Sequence, residues 1–104
     1  MLEKTVTNKI LQWLNQQDGV VAVKHHGGGF SKSGEPDIYG SWRGLAFLLE
    51  VKAPGNYPTK LQKHRLRLWR EQGGAIADVV RSVDDVKVLF EAQGVYDPKS
   101  EAAT

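Results

Sequence analysis

The sequence predicts a single α/β domain whose mixed β-sheet is flanked by helices. Three observations favour this class. The chain has 104 residues, the size of one ordinary domain. Its apolar periodicity alternates between helical and strand patterns in the order α-β-β-β-α-β-α. A hairpin followed by a strand–helix–strand unit gives one sheet with both antiparallel and parallel pairs.

The first half of the chain predicts one helix and three strands. Val6, Ile10 and Leu14 recur at four-residue spacing, which predicts a helix over residues 1–17 that ends at Asp18-Gly19. A tight turn at Arg43-Gly44 separates two strand patterns, which predicts a hairpin. The predicted strands are residues 20–24, 37–42 and 45–52, and a glycine-rich loop occupies residues 25–36.

The second half predicts two helices around one strand. A helix over residues 59–72 ends at Gly73-Gly74, the glycine end that helices favour. The pattern Ser82-x-x-Asp85 is a capping-box variant, which predicts the start of the last helix. The remaining elements are a loop at 53–58, a strand at 75–80, a helix at 83–93 and a flexible tail at 96–104.

Composition excludes several classes of protein. The chain has no cysteine, which excludes disulfides, thiolate zinc sites and a cysteine nucleophile. No apolar run approaches the roughly 18 residues of a membrane span, and the start has no signal-peptide pattern, so we expect a cytoplasmic protein without a membrane partner. The net charge of +2 is by itself a weak indication of a polyanionic partner.

One charged group interrupts the most apolar strand of the chain. The run Leu45–Val51 contains Glu50 and is followed at once by Lys52. If the turn is Arg43-Gly44, cross-strand pairing puts Asp37 opposite Glu50, on the same face of the sheet. Leu45, Phe47, Leu49 and Val51 would then share the other, wholly apolar face.

Two carboxylates at that distance repel each other unless a proton or a cation lies between them. Carboxylate oxygens are the ligands that Mg²⁺ or Mn²⁺ prefers. A metal ion there binds phosphate oxygens and lowers the pKa of a bound water, and Lys52 positions that water or offsets charge on a pentavalent phosphorane. The alternative is a surface salt bridge between Glu50 and Lys52 on an edge strand, but this strand is unusually apolar for an edge.

These motifs resemble a known nuclease superfamily. P-D at 36–37 with E-V-K at 50–52 resembles the PD-(D/E)XK nucleases. G-E-P-D-I-Y-G, L-L-E-V-K-A-P-G, the later Gln62 and G-G-A-I-A-D-V-V-R-S-V-D-D are similar to the virus-type replication-repair nuclease (VRR-NUC) domain. The resemblance spans about residues 1–93. It implies a restriction-endonuclease-like nuclease domain over residues 1–95 that depends on Mg²⁺ or Mn²⁺.

The resemblance also implies roles for single residues. The metal ligands implied are Glu3, Asp37, Glu50 and the backbone carbonyl of Val51, and the catalytic residues implied are Asp37, Glu50, Lys52 and Gln62. Glu3 is supported independently, because it lies three residues before Val6 and seven before Ile10, on the inward face of the first helix. The alternative for Glu3 is a first-turn acid that the helix dipole favours.

The helix after the E-x-K strand carries a stripe of positive charge. Its members are Lys60, Lys63, His64, Arg67 and Arg70. We interpret the stripe as a surface for DNA phosphates, with a merely solvated face as the alternative. Leu61, Leu68 and Trp69 lie elsewhere on the helix and are expected to face the core. Lys24 just before the glycine-rich loop, Lys32 within it, and Arg81 are further candidates for DNA contact.

Other motifs do not support a different chemistry. G-G-G-F-S-K-S lacks the spacing of a P-loop, and the histidines at 25, 26 and 64 lack the spacing of a zinc site.

Single-domain members of the resembled family suggest a homodimeric Holliday-junction resolvase, in a bacterial or phage-infected host cell. Trp42, Phe30 and Tyr57 are candidate dimer contacts. Two alternatives stay open: a less selective nickase or flap nuclease, and a catalytically silent DNA-binding module.

Overall fold

The computed structural model describes residues 2–26 and 34–102, which form a four-stranded sheet with helices on both faces. The helices are α1 (Glu3–Asn15), α2 (Lys60–Glu71), α3 (Val83–Ala92) and α4 (Pro98–Ala102), and the strands are β1 (Val20–Lys24), β2 (Ile38–Trp42), β3 (Leu45–Val51) and β4 (Ile76–Val80). The predicted order is confirmed, with α4 as an addition. α4 lies in the segment 96–104, whose flexibility stays a prediction.

The sheet has the strand order β1-β2-β3-β4, and its last pair is parallel while the other two are antiparallel. Positive φ angles at Arg43 (49°) and Gly44 (90°) make a two-residue turn of the kind that matches the twist of a hairpin. Trp42 therefore pairs with Leu45, and Ile38 pairs with Leu49. The predicted register is confirmed, and the next position along it sets Asp37 across from Glu50.

Each face of the sheet has its own apolar cluster. Phe47, Leu49 and Val51 pack with α1 and α3, and the ring of Phe47 lies edge-on to Phe90, with ring centroids 5.2 Å apart. On the opposite face, Leu48 packs against Leu66 of α2. The predicted alternation along β3 is therefore confirmed. Glu50 lies on the α2 face, because it is two residues beyond Leu48.

Two expectations about apolar side chains were wrong. Trp42 is only 4% exposed and packs against Trp13 and Phe90, so it is core and not a dimer contact. In α2 the buried residue is Leu66, whereas Leu61 and Trp69 are exposed. α2 touches the sheet mainly along β4 and β3, so a narrow stripe of its surface suffices to cover them. No helix among the described residues is long and apolar enough to cross a membrane.

Side chains form hydrogen bonds with backbone groups at both edges of the sheet. The Asn15 amide donates to the carbonyl of Ala22 and accepts from its N–H, each at 2.9 Å. At the other edge, Arg70 Nη1 donates to the Ala77 carbonyl at 2.8 Å, and Asp78 Oδ1 accepts from the N–H of Val79 at 2.8 Å. Each bond takes a polar backbone group that another strand would otherwise use.

Gly40 lies where β1 and the core leave no room for a side chain. A Cβ atom there would overlap the Val21 carbonyl oxygen and lie 2.6 Å from the Phe47 ring. We expect Gly40→Ala to lower the free energy of unfolding by about 1–3 kcal/mol in urea titrations, as overpacking does. Ala46→Ser, at an exposed position of β3, should change it by less than about 0.5 kcal/mol. Equal effects of both substitutions would contradict this account.

Candidate active site

The hairpin brings Asp37 and Glu50 together at one end of the sheet. Asp37 Oδ2 accepts a hydrogen bond of 2.9 Å from the backbone N–H of Val51, which anchors its carboxylate across the hairpin. Glu50 is only 2% exposed. A carboxylate so deeply buried is costly unless a proton or a positive charge accompanies it. The predicted convergence of the two carboxylates is what the structure shows.

The surroundings of Glu50 raise its pKa to about 8. Burial is the largest cause, because it disfavours the charged form. The Asp37 carboxyl acts in the same direction, since a protonated Glu50 shares its proton with Asp37 and an ionised one is repelled by it. Lys52 lowers the pKa, and Glu3 raises it further. Glu3, Asp37 and Lys52 therefore all act on the same buried group.

Lys52 and Gln62 both approach the same oxygen of Glu50. Lys52 Nζ lies 3.9 Å from Glu50 Oε1, and Gln62 Nε2 donates to that oxygen at 3.3 Å. Glu50 Oε2 is buried and has no hydrogen-bond partner among the described residues. One oxygen of Glu50 is thus held by the protein, and the other is left for a ligand or a proton.

Gln62 is held in place by the start of α2. Its Oε1 accepts from the N–H of Thr59 at 2.9 Å, and the Thr59 hydroxyl accepts from the N–H of Gln62 at 3.1 Å. This capping box uses the amide oxygen of Gln62 and leaves the amide nitrogen to face Glu50. The same side chain begins the helix and contacts the site.

Glu3 is joined to the site through the loop that follows β3. Asn56 Nδ2 donates to Glu3 Oε2 at 3.0 Å. Arg81 holds this loop, because its Nη1 donates to the carbonyls of Ala53 at 2.8 Å and Asn56 at 2.7 Å. Its guanidinium carbon also lies 5.2 Å from the centroid of the Tyr57 ring. Arg81 is thus engaged with this loop, and its contact with DNA stays a prediction.

Sequence reasoning missed these roles of Asn56 and Arg81. The sequence offered only an indirect signal, an arginine directly after β4 and an asparagine in a Pro/Gly-containing loop. Neither residue has a spacing that predicts their contact, because 25 positions separate them.

The site offers a small number of carboxylate oxygens that could coordinate one hard cation. Among residues 2–26 and 34–102, no group of three or more His, Cys, Asp or Glu side chains is arranged to hold a metal ion. The free oxygen of buried Glu50 and the carboxylate of Asp37 nevertheless fit Mg²⁺ or Mn²⁺, which keeps several waters and takes one or two carboxylates. The carbonyl of Val51 and the carboxylate of Glu3 stay predicted ligands.

The predicted basic stripe on α2 is exposed over most of its length. Lys60, Lys63, His64 and Arg67 all face solvent. Arg70 differs, because its hydrogen bond to Ala77 ties the helix to β4. Elsewhere, Lys24 is half-buried at the end of β1, and Lys32 lies outside the described residues. The assignment of all these residues to DNA stays a prediction.

The element order, the mixed sheet and the carboxylate-bearing hairpin define a restriction-endonuclease-like α/β domain. A solved structure described as a VRR_NUC domain protein is similar to this chain, with a TM-score of 0.64 and 22% sequence identity. The likeness covers 91% of this chain and 88% of that one. No protein-family model and no curated protein matches the chain. The resemblance to the VRR-NUC domain is thus confirmed at the level of the fold.

The raised pKa of Glu50 predicts a pH-dependent stability in EDTA. The folded pKa of about 8 lies above the reference value of 4.5, so the folded protein keeps a proton that the unfolded chain releases. The stabilisation is complete below pH 4.5 and is lost as pH rises to about 8. Each pKa unit corresponds to about 1.4 kcal/mol, so we expect a loss of a few kcal/mol.

Urea titrations at several pH values measure this loss. Glu50→Gln should remove much of it, and Glu91→Gln, at an exposed position of α3, should not. A Glu50→Gln protein with the same pH slope as the wild type would show that Glu50 does not titrate in this way.

Proposed function

We propose that this protein is a Mg²⁺- or Mn²⁺-dependent endonuclease that hydrolyses phosphodiester bonds in DNA. One observation carries the proposal. Buried Glu50 lies beside Asp37, its Oε2 has no hydrogen-bond partner among the described residues, and Lys52 Nζ lies 3.9 Å from its Oε1. A purely structural ion pair would not need a second carboxylate that raises the pKa of the first. The fold shared with a VRR_NUC domain protein supports the same chemistry.

In this proposal Asp37, Glu50 and the carbonyl of Val51 hold the metal ion, with Glu3 as a further acidic ligand. The ion supplies charge stabilisation for a phosphate and a more acidic bound water. Gln62 keeps Glu50 Oε1 turned away, so that Oε2 faces the ligand. The N–H of Val51 orients Asp37 in the same way.

Lys52 is the proposed catalytic cation. Its side chain is 14% exposed, so it is not fully closed off from solvent and a substrate. Lys52 positions the attacking water or stabilises negative charge as the phosphorus becomes pentavalent. The exposed part of the α2 stripe, from Lys60 to Arg67, holds the phosphate backbone without reading sequence.

Branched DNA, a four-way junction above all, is the proposed substrate, and a homodimer is the proposed active form. The resemblance of the sequence to VRR-NUC domains supports both. Two sites related by a two-fold axis suit two symmetric cuts. A flap nuclease or nickase with the same site is the second candidate. Its support is the open apolar surface beside the carboxylates, described below.

Cleavage of three labelled substrates tests the proposal: a four-way junction, a flap and a plain duplex, each with Mg²⁺, Mn²⁺ or EDTA. Paired symmetric cuts in the junction alone would establish a resolvase. Cutting of the flap or of all three would establish the same chemistry with a broader substrate. The absence of cleavage with either metal would overturn the proposed endonuclease activity and favour a DNA-binding module.

Substitutions at the hairpin should separate chemistry from folding. We expect Asp37→Ala, Glu50→Ala and Lys52→Ala each to reduce cleavage at least a hundredfold, because each removes a group that acts on the phosphate. Asp84→Ala, at an exposed position of α3, is the matched control and should cleave normally. Circular dichroism checks that each variant folds. Normal cleavage by any of the three would remove that residue from the site.

The basic stripe should contribute to binding through phosphate contacts. Lys63→Gln and Arg67→Gln should each weaken binding for every DNA sequence and reduce the slope of log K against log salt by about 1. Fluorescence anisotropy in EDTA measures this without cleavage. Lys99→Gln, on α4, should leave the slope unchanged. If the α2 variants behave like Lys99→Gln, the stripe is only a solvated face.

A further inference from the structure

The sheet has an open apolar pocket on the same face as Glu50. α2 covers β3 and β4 on this face, and the pocket of about 220 Å³ lies beside it. Tyr39 on its floor is 47% exposed and Trp69 on its wall is 42% exposed. Trp69 is also the exposed tryptophan of the chain, because Trp13 and Trp42 are buried. Neither ring belongs to the two buried apolar clusters, and the Tyr39 ring lies edge-on to the ring of His25, with centroids 6.3 Å apart.

The pocket lies next to the proposed catalytic carboxylates on three separate elements. Tyr39 in β2 follows Asp37, just before the strand, by two residues, a rise of about 7 Å on the same face. On β3, Leu48 of the pocket precedes Glu50 by two residues, a similar rise. On α2, Trp69 lies two turns beyond Gln62 and on the same side of the helix. A group bound in the pocket is therefore within one nucleotide of a phosphate at Asp37.

The chemistry of the pocket suits a nucleobase better than a phosphate. Its floor and walls are mostly apolar, from Pro36, Ala46 and Leu48. The carboxylate among its lining residues, Glu35, lies 3.7 Å from Arg65 Nε and so contributes no free negative charge. Exposed aromatic rings bind unpaired bases by stacking, regardless of sequence. The cations that would hold phosphates lie instead on the outer stripe of α2.

We propose that this pocket receives an unpaired base of the DNA strand whose phosphate lies at Asp37 and Glu50, with Tyr39 and Trp69 as its stacking surfaces. This inference rests on the proposed function and narrows its substrate. Bases in a continuous duplex are stacked and paired, so they do not reach the pocket. The preferred DNA therefore carries unpaired or easily unstacked nucleotides beside the cleaved bond, as flaps and the centres of junctions do.

A second copy of the chain is the competing occupant. A second copy does not readily add a strand to either edge of the sheet, because side chains already bond backbone groups there. These side chains are Asn15, Arg70 and Asp78. The second copy would have to cover Tyr39 and Trp69 face to face. The oligomeric state of Tyr39→Ala therefore has to be measured together with its DNA binding.

Binding in EDTA tests the pocket apart from catalysis. The probes are a duplex with a single-stranded flap and a fully paired duplex of equal length, followed by anisotropy and by tryptophan fluorescence. We expect Tyr39→Ala to weaken flap binding about tenfold, in line with the loss of one stacked base, and to leave duplex binding unchanged. Tyr39→Phe should restore it. Flap DNA should quench the fluorescence of the wild type but much less that of Trp69→Phe.

Val88→Ala, at an exposed position of α3, is the control for loss of an apolar side chain. Equal effects of Tyr39→Ala on the binding of flap and duplex DNA, or no effect on either, would overturn the proposal that the pocket receives an unpaired base. Conversion of a dimer to a monomer by Tyr39→Ala would also overturn it and make this face the contact between copies. Because no metal is present, these outcomes are distinct from a failure of cleavage, which would overturn the proposed endonuclease.

Discussion

The two-residue turn at Arg43-Gly44 sets the register on which the candidate site depends. Backbone with positive φ at both positions joins β2 to β3 without a bulge, so the strands pair residue for residue as far as Ile38 and Leu49. A slip of one residue would move Glu50 to the opposite face, into the cluster around Phe47 and Val51. The turn thus places the Glu50 carboxylate on the face of the sheet that α2 covers, and not in the main core.

Burial of Glu50 has consequences for its neighbours. An isolated carboxylate in an apolar strand would destabilise the fold, and the chain offsets this with Lys52 and Gln62 on one oxygen only. Asp37 acts in the opposite direction, because it raises the pKa of Glu50 and so disfavours its charged form. Stability alone would favour an apolar residue at position 50. An arrangement that retains two interacting carboxylates is typical of functional sites, where the shifted pKa is part of the chemistry.

Local patterns predicted the three longer helices, the four strands and the pairing of Asp37 with Glu50. The turn signal and the apolar alternation of β3 were enough to place Asp37 opposite Glu50, because strand pairing is periodic. The side of α2 that faces the sheet was not predictable in the same way. Leu61, Leu66 and Trp69 are all apolar, and the area that β3 and β4 offer decides which of them is buried. Contacts between distant loops, such as that of Arg81 with Asn56, leave no periodic signal.

The same limit applies to α4, which the sequence did not predict. Its five residues are too few to show a helical period, and only its position in the structure reveals it. The open pocket was equally hidden, because exposure of Tyr39 and Trp69 depends on how far α2 extends over the sheet. In both cases the deciding quantity is an area of contact, which a linear pattern does not contain.

The occupied edges of the sheet also bear on how this domain behaves at high concentration. Unpaired edge strands are templates on which unfolded or neighbouring chains add strands and form fibrils. Here the side chain of Asn15 bonds the backbone of Ala22 at the β1 edge, and the side chain of Arg70 bonds the carbonyl of Ala77 at the β4 edge. Arg70, whose contact with DNA stays a prediction, also holds the Ala77 carbonyl, so that this group is not available to an added strand. Loss of the Arg70 guanidinium would leave the Ala77 carbonyl free to pair with an added strand.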